Sequence, residues 1–255
     1  MGQRAGKDDP KRAKRPVDIV ARAHADKLVK DGMPIQMALA VAYGKMGLNE
    51  AVQRMAQRDA VNRLMEKQTL SRALATQIVL GQANLNVVLA ARRLEDHRTQ
   101  FRNRSTLDEA QAAASPITLL VHGQRRISGK ILLVDNYMVR VELEEGGTED
   151  LHKLQVKAAF APPDAYKKVR KTLKFDKALE KAPLPPVAKP QDRYTCSDKR
   201  LFRYMDEHIE VSATTLEGEV FKGQVQWFSR FEFGLHLKGD VDVTVFRHAL
   251  HDLTE

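Results

Sequence analysis

His248 and His251 are the pair whose type and closeness could hold a metal ion. A three-residue spacing in extended chain turns their side chains to opposite faces, and no cysteine completes a set, so no metal is expected. Cys196 is the single cysteine; it rules out an internal disulfide framework, fits a reducing compartment and has no expected chemical role. No G-x-S-x-G elbow or Walker-type glycine loop is present, and the carboxylates fall in scattered surface runs rather than in a pair. Catalytic residues and cofactors are therefore not expected. What remains is charge: 42 Lys and Arg against 33 Asp and Glu give a net charge of +9. A balance of that sign favours a polyanionic partner, because each base that neutralises a phosphate releases condensed counterions.

The chain that must position such contacts reads in five parts. Residues 1–16 are polar and basic, with Arg4, Lys7, Lys11, Arg12, Lys14 and Arg15, and no apolar segment follows them as in a signal peptide. They read as a disordered arm able to touch phosphate, and the cytoplasm is the default location. No apolar run approaches the roughly 20 residues that span a bilayer, so no membrane partner is expected. Residues 17–98 carry helical periodicity, with Ile35, Leu39 and Ala42 on one face, Leu70, Leu74 and Ile78 on another, and Leu85, Val88 and Leu89 on a third. Within them Gly44-Lys45-Met46-Gly47-Leu48-Asn49 echoes Gly81-Gln82-Ala83-Asn84-Leu85-Asn86, a helix stop followed by a helix start. Two hairpins of short helices follow from this. Either they form a packing or docking bundle, or the stretch Asn49 to Arg63 is a DNA recognition helix presenting Gln53, Arg54, Gln57 and Arg58.

Residues 106–160 change to strand grammar after a short helix, Leu107 to Ala114, stopped by Pro116. Strands are expected at Ile117–Val121, Arg126–Val134, Tyr137–Leu143 and Leu151–Phe160, with a turn at Gly146-Gly147. Residues 161–197 read as an exposed, basic, proline-rich linker, with Lys167, Lys168, Arg170, Lys171 and Lys174 ahead of Pro183, Pro185, Pro186 and Pro190. Strand grammar returns over 198–255, and setting Gly129 on Gly223 sets Tyr137 on Phe231, Leu143 on Leu237, Lys153 on Arg247 and Val156 on Leu250. The β region is a tandem repeat.

The second copy resembles the bacterial Hfq family of Sm-like RNA chaperones. Gly223-Gln224-Val225-Gln226-Trp227-Phe228-Ser229-Arg230-Phe231 is similar to the family's G-Q-I-E-S-F-D-Q-F, and Val245-Phe246-Arg247-His248-Ala249 to its V-Y-K-H-A. The first copy resembles it more faintly, through Asp135-Asn136-Tyr137 and His152-Lys153. The resemblance implies a multidomain chain, an all-α domain followed by two all-β Sm-like domains, each a bent five-stranded antiparallel barrel. Asp198 to Asp206 would be the short helix of the second, with Leu201, Phe202 and Met205 as its apolar face. The family pairs edge strands between protomers into rings of six, so a homo-oligomer is implied: either three of these chains close one ring, or each copy builds its own.

The resemblance also implies uridine-rich single-stranded RNA as the ligand. Phe231 would stack a base, Arg230 stands where the family has glutamine, and Phe246, Arg247 and His248 would form the contact triplet. The first copy offers Asn136, Tyr137, His152 and Lys153, while Leu154 replaces the family histidine, so its site should be altered. On the opposite face the positions that take adenine tracts are Thr214, Glu217 and Glu219, or Leu119 and His122, which do not suit that ligand. Met205, Asp206 and Glu207 replace the rim arginines. Two other readings stay open: barrels that serve only to assemble a scaffold whose helical domain recruits a protein, and a DNA-binding regulator.

Overall fold

The computed structural model of the chain describes residues 16–171 and 173–255, so the basic arm expected over 1–16 lies, but for Pro16, outside the described residues. The chain divides into two units after Leu89. The first is helical: α1 (Pro16–Lys30), α2 (Ile35–Ala42), α3 (Leu48–Gln68), α4 (Arg72–Val79) and the start of α5 (Leu85–Phe101). The repeated glycine turns act as helix stops. Gly44 and Gly81 adopt φ of +68° and +72°. The amides after them, of Lys45 and Gln82, each donate at 2.8 Å to carbonyls one turn back, Ala40 and Gln77. This is the left-handed cap that glycine permits.

The helices do not form two separate hairpins of short helices, as expected. Nothing between Leu48 and Gln68 is Gly or Pro, so α3 runs unbroken and serves two cores. Its Ala51 packs with Ala25, Met33 and Ala38, and its Val61 packs with Leu70 and Ala75. Gln53, Arg54 and Arg58 are exposed on it, with Arg54 paired to Glu50 at 2.8 Å. The helical region ends at Phe101 rather than at residue 98.

The second unit holds the end of α5, then α6 (Thr106–Ala112), β1 (Pro116–Val121), β2 (Arg125–Val134), β3 (Met138–Leu143), β4 (Thr148–His152) and β5 (Val156–Phe160). After these come α7 (Asp164–Arg170), β6 (Lys174–Phe175), α8 (Lys177–Lys181), α9 (Asp198–Asp206), β7 (Glu210–Thr215), β8 (Glu219–Phe228), β9 (Glu232–Leu237), β10 (Val241–Phe246) and β11 (Leu250–Thr254). Segment 161–197 is more than an exposed linker. Ala165, Val169 and Leu179 are buried, and β6 pairs with β8, because the basic run also carries apolar residues at helical spacing. The strand expected over Leu151–Phe160 is interrupted by a tight turn at Lys153–Gln155. There the His152 side chain accepts from the Leu154 amide at 3.1 Å and the Gln155 side chain from the His152 amide at 3.2 Å.

All the strands join one open antiparallel sheet in the order β11-β7-β8-β9-β10-β5-β1-β2-β3-β4, with β6 beside β8. The duplication is written into its registers. Gly129 faces Ile117 and Leu143, and Gly223, 94 residues on, faces Val211 and Leu237. The bulges repeat as well, at Ile131/Leu133 and at Val225/Trp227. A Cβ on either glycine would sit about 2 Å from a carbonyl oxygen of the next strand, Glu142 or His236, which is why glycine stands mid-strand there. The two sets of five strands meet where β10 pairs with β5, Thr244 facing Ala159 and Val245 facing Ala158. Phe246 crosses this seam to join the core of the first set, with Ile117, Leu119, Val139 and Val156.

Beside the seam lies a buried ion cluster. Lys157 on β5 is fully buried and hydrogen-bonds both Glu217 and Glu219 of the β7–β8 hairpin. Glu217 also accepts the amides of Gly123 and Gln124 at 2.6 and 2.9 Å. Desolvation pulls the Glu217 pKa upward, but the Lys157 and amide hydrogen bonds outweigh it and leave the group below the usual carboxylate value. A second buried carboxylate anchors α6. The Thr106 amide donates to Glu232 at 2.7 Å, and the Thr106 and Thr244 hydroxyls lie 2.9 Å apart. Burial raises the Glu232 pKa to about 7.

Lys157→Met leaves two buried carboxylates without a counter-ion and should cost about 3–5 kcal/mol in urea unfolding. Glu232 has a folded pKa near 7 against an ordinary value of 4.5, so its contribution to stability is complete below pH 4.5 and is lost as pH rises through 7. Glu232→Gln, which keeps an acceptor for Thr106, should therefore remove that decline and leave the protein more stable than wild type at pH 8 by about 3 kcal/mol, read from melting curves across pH.

Candidate nucleic-acid interface

Two equivalent turns present the aromatic residues. In the first copy the Asp135 carboxylate accepts the amides of Tyr137 and Met138, both at 2.7 Å, and those bonds hold its pKa below the ordinary aspartate value. The Tyr137 carbonyl then accepts the Lys153 amide at 2.7 Å. In the second copy the Phe231 carbonyl accepts the Arg247 amide at 2.8 Å. With their backbones fixed in this way both rings stand out from the sheet, Tyr137 70% and Phe231 62% exposed. Large aromatic rings left in solvent on a rigid turn are what a stacking partner needs.

Both turns open onto one cavity of about 470 Å³ across the β10–β5 seam. Its walls bring together seven of the residues anticipated from sequence: Asn136, Tyr137, His152 and Lys153 from the first copy, and Phe231, Phe246 and His248 from the second. Tyr137 and His152 lie nearly parallel, ring centres 6.3 Å apart. Lys153 makes no ion pair with any described residue. Arg104 and Arg193 also line the cavity. Arg193 is held by the carbonyls of Val187 and Ala188, and Arg104 lies 3.9 Å from the centre of the Trp227 ring and pairs with Glu109. Neither arginine was singled out in the sequence, since one follows a proline-rich stretch and the other a helix end, where no periodicity marks a face.

The remaining anticipated residues have different surroundings. Phe246 is 5% exposed, so it forms the floor of the cavity rather than a free platform. Burial pushes His248 down to about 4; the neutral ring donates from Nε2 to the Val156 carbonyl at 2.9 Å, tying the second copy to the first across the seam. Arg230 and Arg247 do not line this cavity. Arg230 lies over the Phe231 ring at 5.0 Å, and Arg247 pairs with Asp198 at 2.8 Å over the Phe228 ring. Both open onto a neighbouring cavity.

The opposite-face positions Glu217, Glu219 and His122 sit in the buried ion cluster, with His122 Nδ1 3.3 Å from Glu217 and desolvation lowering the pKa of the ring. Among the described residues no group of three or more His, Cys, Asp or Glu is placed to hold a metal ion. Cys196 is buried, and desolvation raises its thiol to about 11. Among the described residues no helix is long and apolar enough to cross a membrane. Compared with protein-family models, curated proteins and solved structures, the chain matches none of them.

Proposed function

We propose that the chain is a tandem Sm-like protein of the Hfq kind that binds uridine-rich single-stranded RNA in the cavity between its two copies, as a post-transcriptional regulator and not as an enzyme. The observation that carries this reading is the gathering of two exposed rings, Tyr137 and Phe231, with Lys153, His152 and Asn136 around one cavity. Single-stranded recognition uses those elements: rings for base stacking, amide and imidazole groups for base edges, and a cation for phosphate. Each copy contributes one ring, so two bases can be gripped in one place. The five-stranded antiparallel sets, each preceded by a short helix, support the Sm-like assignment.

The outer edges of β4 and β11 pair with no other described strand, and they are the first-copy and second-copy equivalents of the two strands joined at the seam. Complementary edges at opposite ends of one sheet make a head-to-tail contact that either closes or propagates. Three chains joined this way form a ring of six five-stranded sets. A native mass of three times the 28.8 kDa chain is the expected outcome of light scattering, and a monomer at high concentration counts against the ring.

RNA binding is tested by the fluorescence anisotropy of labelled oligo-uridine, oligo-adenine and duplex DNA. Because Tyr137 and Phe231 are exposed, the Tyr137→Ala, Phe231→Ala variant keeps its fold. Stacking is worth about 1–3 kcal/mol per base, so the double variant should lose roughly 30-fold or more in oligo-uridine affinity. Equal binding of all three ligands, unchanged by the substitutions, sinks the proposal and moves attention to α3 and the exposed apolar residues of the helical unit, such as Val20, Ile35 and Val87.

A further inference from the structure

Beside the aromatic cavity lies a second one, of about 370 Å³, built on the second copy. Four segments form it. The end of α5 supplies Arg98 and the turn after it Arg102; the start of α9 supplies Asp198; the β8–β9 turn and the residue after β10 supply Ser229, Arg230 and Arg247. Helix α5 is fixed in place by His97, whose ring packs 4.2 Å from that of Phe228 with Nε2 3.2 Å from the Phe228 backbone, and by the pairs Arg93–Asp206 and Arg98–Asp198 at 2.8 and 2.9 Å. In the first copy the residues 94 positions earlier are Asp135, Asn136 and Lys153, with a carboxylate where Ser229 stands and, among the described residues, no counterpart of α5.

The lining is electropositive. Four arginines face two carboxylates, Asp198 and Glu95, which leaves +2. Asp198 lies between two guanidiniums, Arg98 and Arg247, so its charge is spent on holding them together. Arg102 and Arg230 form no ion pair with any described residue. Two buried polar atoms on the wall lack a partner: the Ser229 hydroxyl, on a side chain that is 5% exposed, and the Nε–H of Arg247. Buried donors without partners cost about 1–3 kcal/mol each and stay where a ligand completes them. Converging guanidiniums with a hydroxyl form a donor array suited to the oxygens of a phosphate.

We propose that this cavity is a phosphate-binding site that α5 adds to the second copy, taking a phosphate of the strand whose base stacks on Phe231. Arg230 and Phe231 are consecutive in one turn, so the aromatic cavity and the arginine cavity share that turn as a wall. A strand crossing it meets rings on one side and guanidiniums on the other. The strand as the source of the phosphate rests on the RNA-binding reading; the phosphate chemistry does not, since a free nucleotide carries the same group.

The test uses the full chain and the Arg102→Ala, Arg230→Ala variant, both side chains being exposed at the surface and outside the ion pairs that fix α5. Oligo-uridine affinity is followed against salt, and uridine monophosphate and uridine are titrated calorimetrically. The variant should flatten the slope of log K against log salt by about 0.7 for each phosphate it no longer neutralises, whereas the Tyr137→Ala, Phe231→Ala variant should weaken binding with the slope retained. Uridine monophosphate should bind the wild type better than uridine does, and the variant should lose that preference. If the preference is lost while the oligo-uridine slope is unchanged, the site takes free nucleotide and the strand assignment is overturned. An unchanged slope together with no preference for the phosphorylated nucleoside overturns the site while leaving the aromatic cavity standing. A wild type that binds no oligo-uridine overturns the RNA reading, and the monophosphate arm then decides the cavity alone.

Discussion

The pairing of β10 with β5 is the constraint on which the rest depends. It is short, two residue pairs in register, and would be a weak join by itself. Side chains make it durable: Phe246 crosses into the first copy's core, His248 donates to Val156, and Lys157 binds the carboxylates of the β7–β8 hairpin in a dry setting. A buried ion cluster adds little net stability over apolar packing, but it penalises any other arrangement, since a slipped register would leave a charge alone. The seam is thereby fixed in register, and with it the spacing of Tyr137 and Phe231 around one cavity.

The two sets of five strands share a register but differ in the side chains that close their turns. The turn before each exposed ring is identical in register, but Asp135 closes its own turn by accepting two amides, whereas Ser229 leaves its hydroxyl buried without a partner next to four arginines. The first copy's turn is complete in itself and the second copy's is completed from outside, by α5 on one wall and by the proposed phosphate within it. His248 and Leu154 divide in the same way. The histidine is spent on the seam, so the leucine in the first copy forgoes a bond across a strand junction rather than a base contact.

How far the sequence revealed this follows from which signals are local. Alternation and turn glycines located most of the strands of the first set within a few residues, and the 94-residue offset from Gly129 to Gly223 matches residues whose strand registers agree pair by pair. The break at Lys153–Gln155 was hidden because Leu151, Val156 and Ala158 keep an apolar pattern through it, while the side chains of His152 and Gln155 that make the turn carry no hydrophobic signal. The structure of 161–197 was masked by its lysines and prolines, which dominate composition although three buried residues suffice to dock it. The site residues were legible as types but not as groups. That seven would share one cavity while Arg230 and Arg247 turned away to another depended on α5 and α9, whose placement across the β8–β9 turn is a long-range fact no spacing contains.

The two free edges differ chemically from the closed seam. Were β11 of one molecule to pair with β4 of another in the seam's register, Asp150 would face Leu253 and Leu151 would face Asp252, by the same 94-residue shift that relates every other pair. The seam's special contacts would not recur there. His251 would stand for Lys157, Gly123 for Glu217, Arg125 for Glu219 and Leu154 for His248, so neither the ion cluster nor the histidine bond could form. The better-supported junction lies within one chain, and a junction formed between molecules at the outer edges would be the less supported one. An edge held by backbone bonds and few side chains opens at low cost. An assembly built on such junctions would exchange subunits at the β4–β11 contacts while every aromatic cavity, lying inside a single chain, stayed intact.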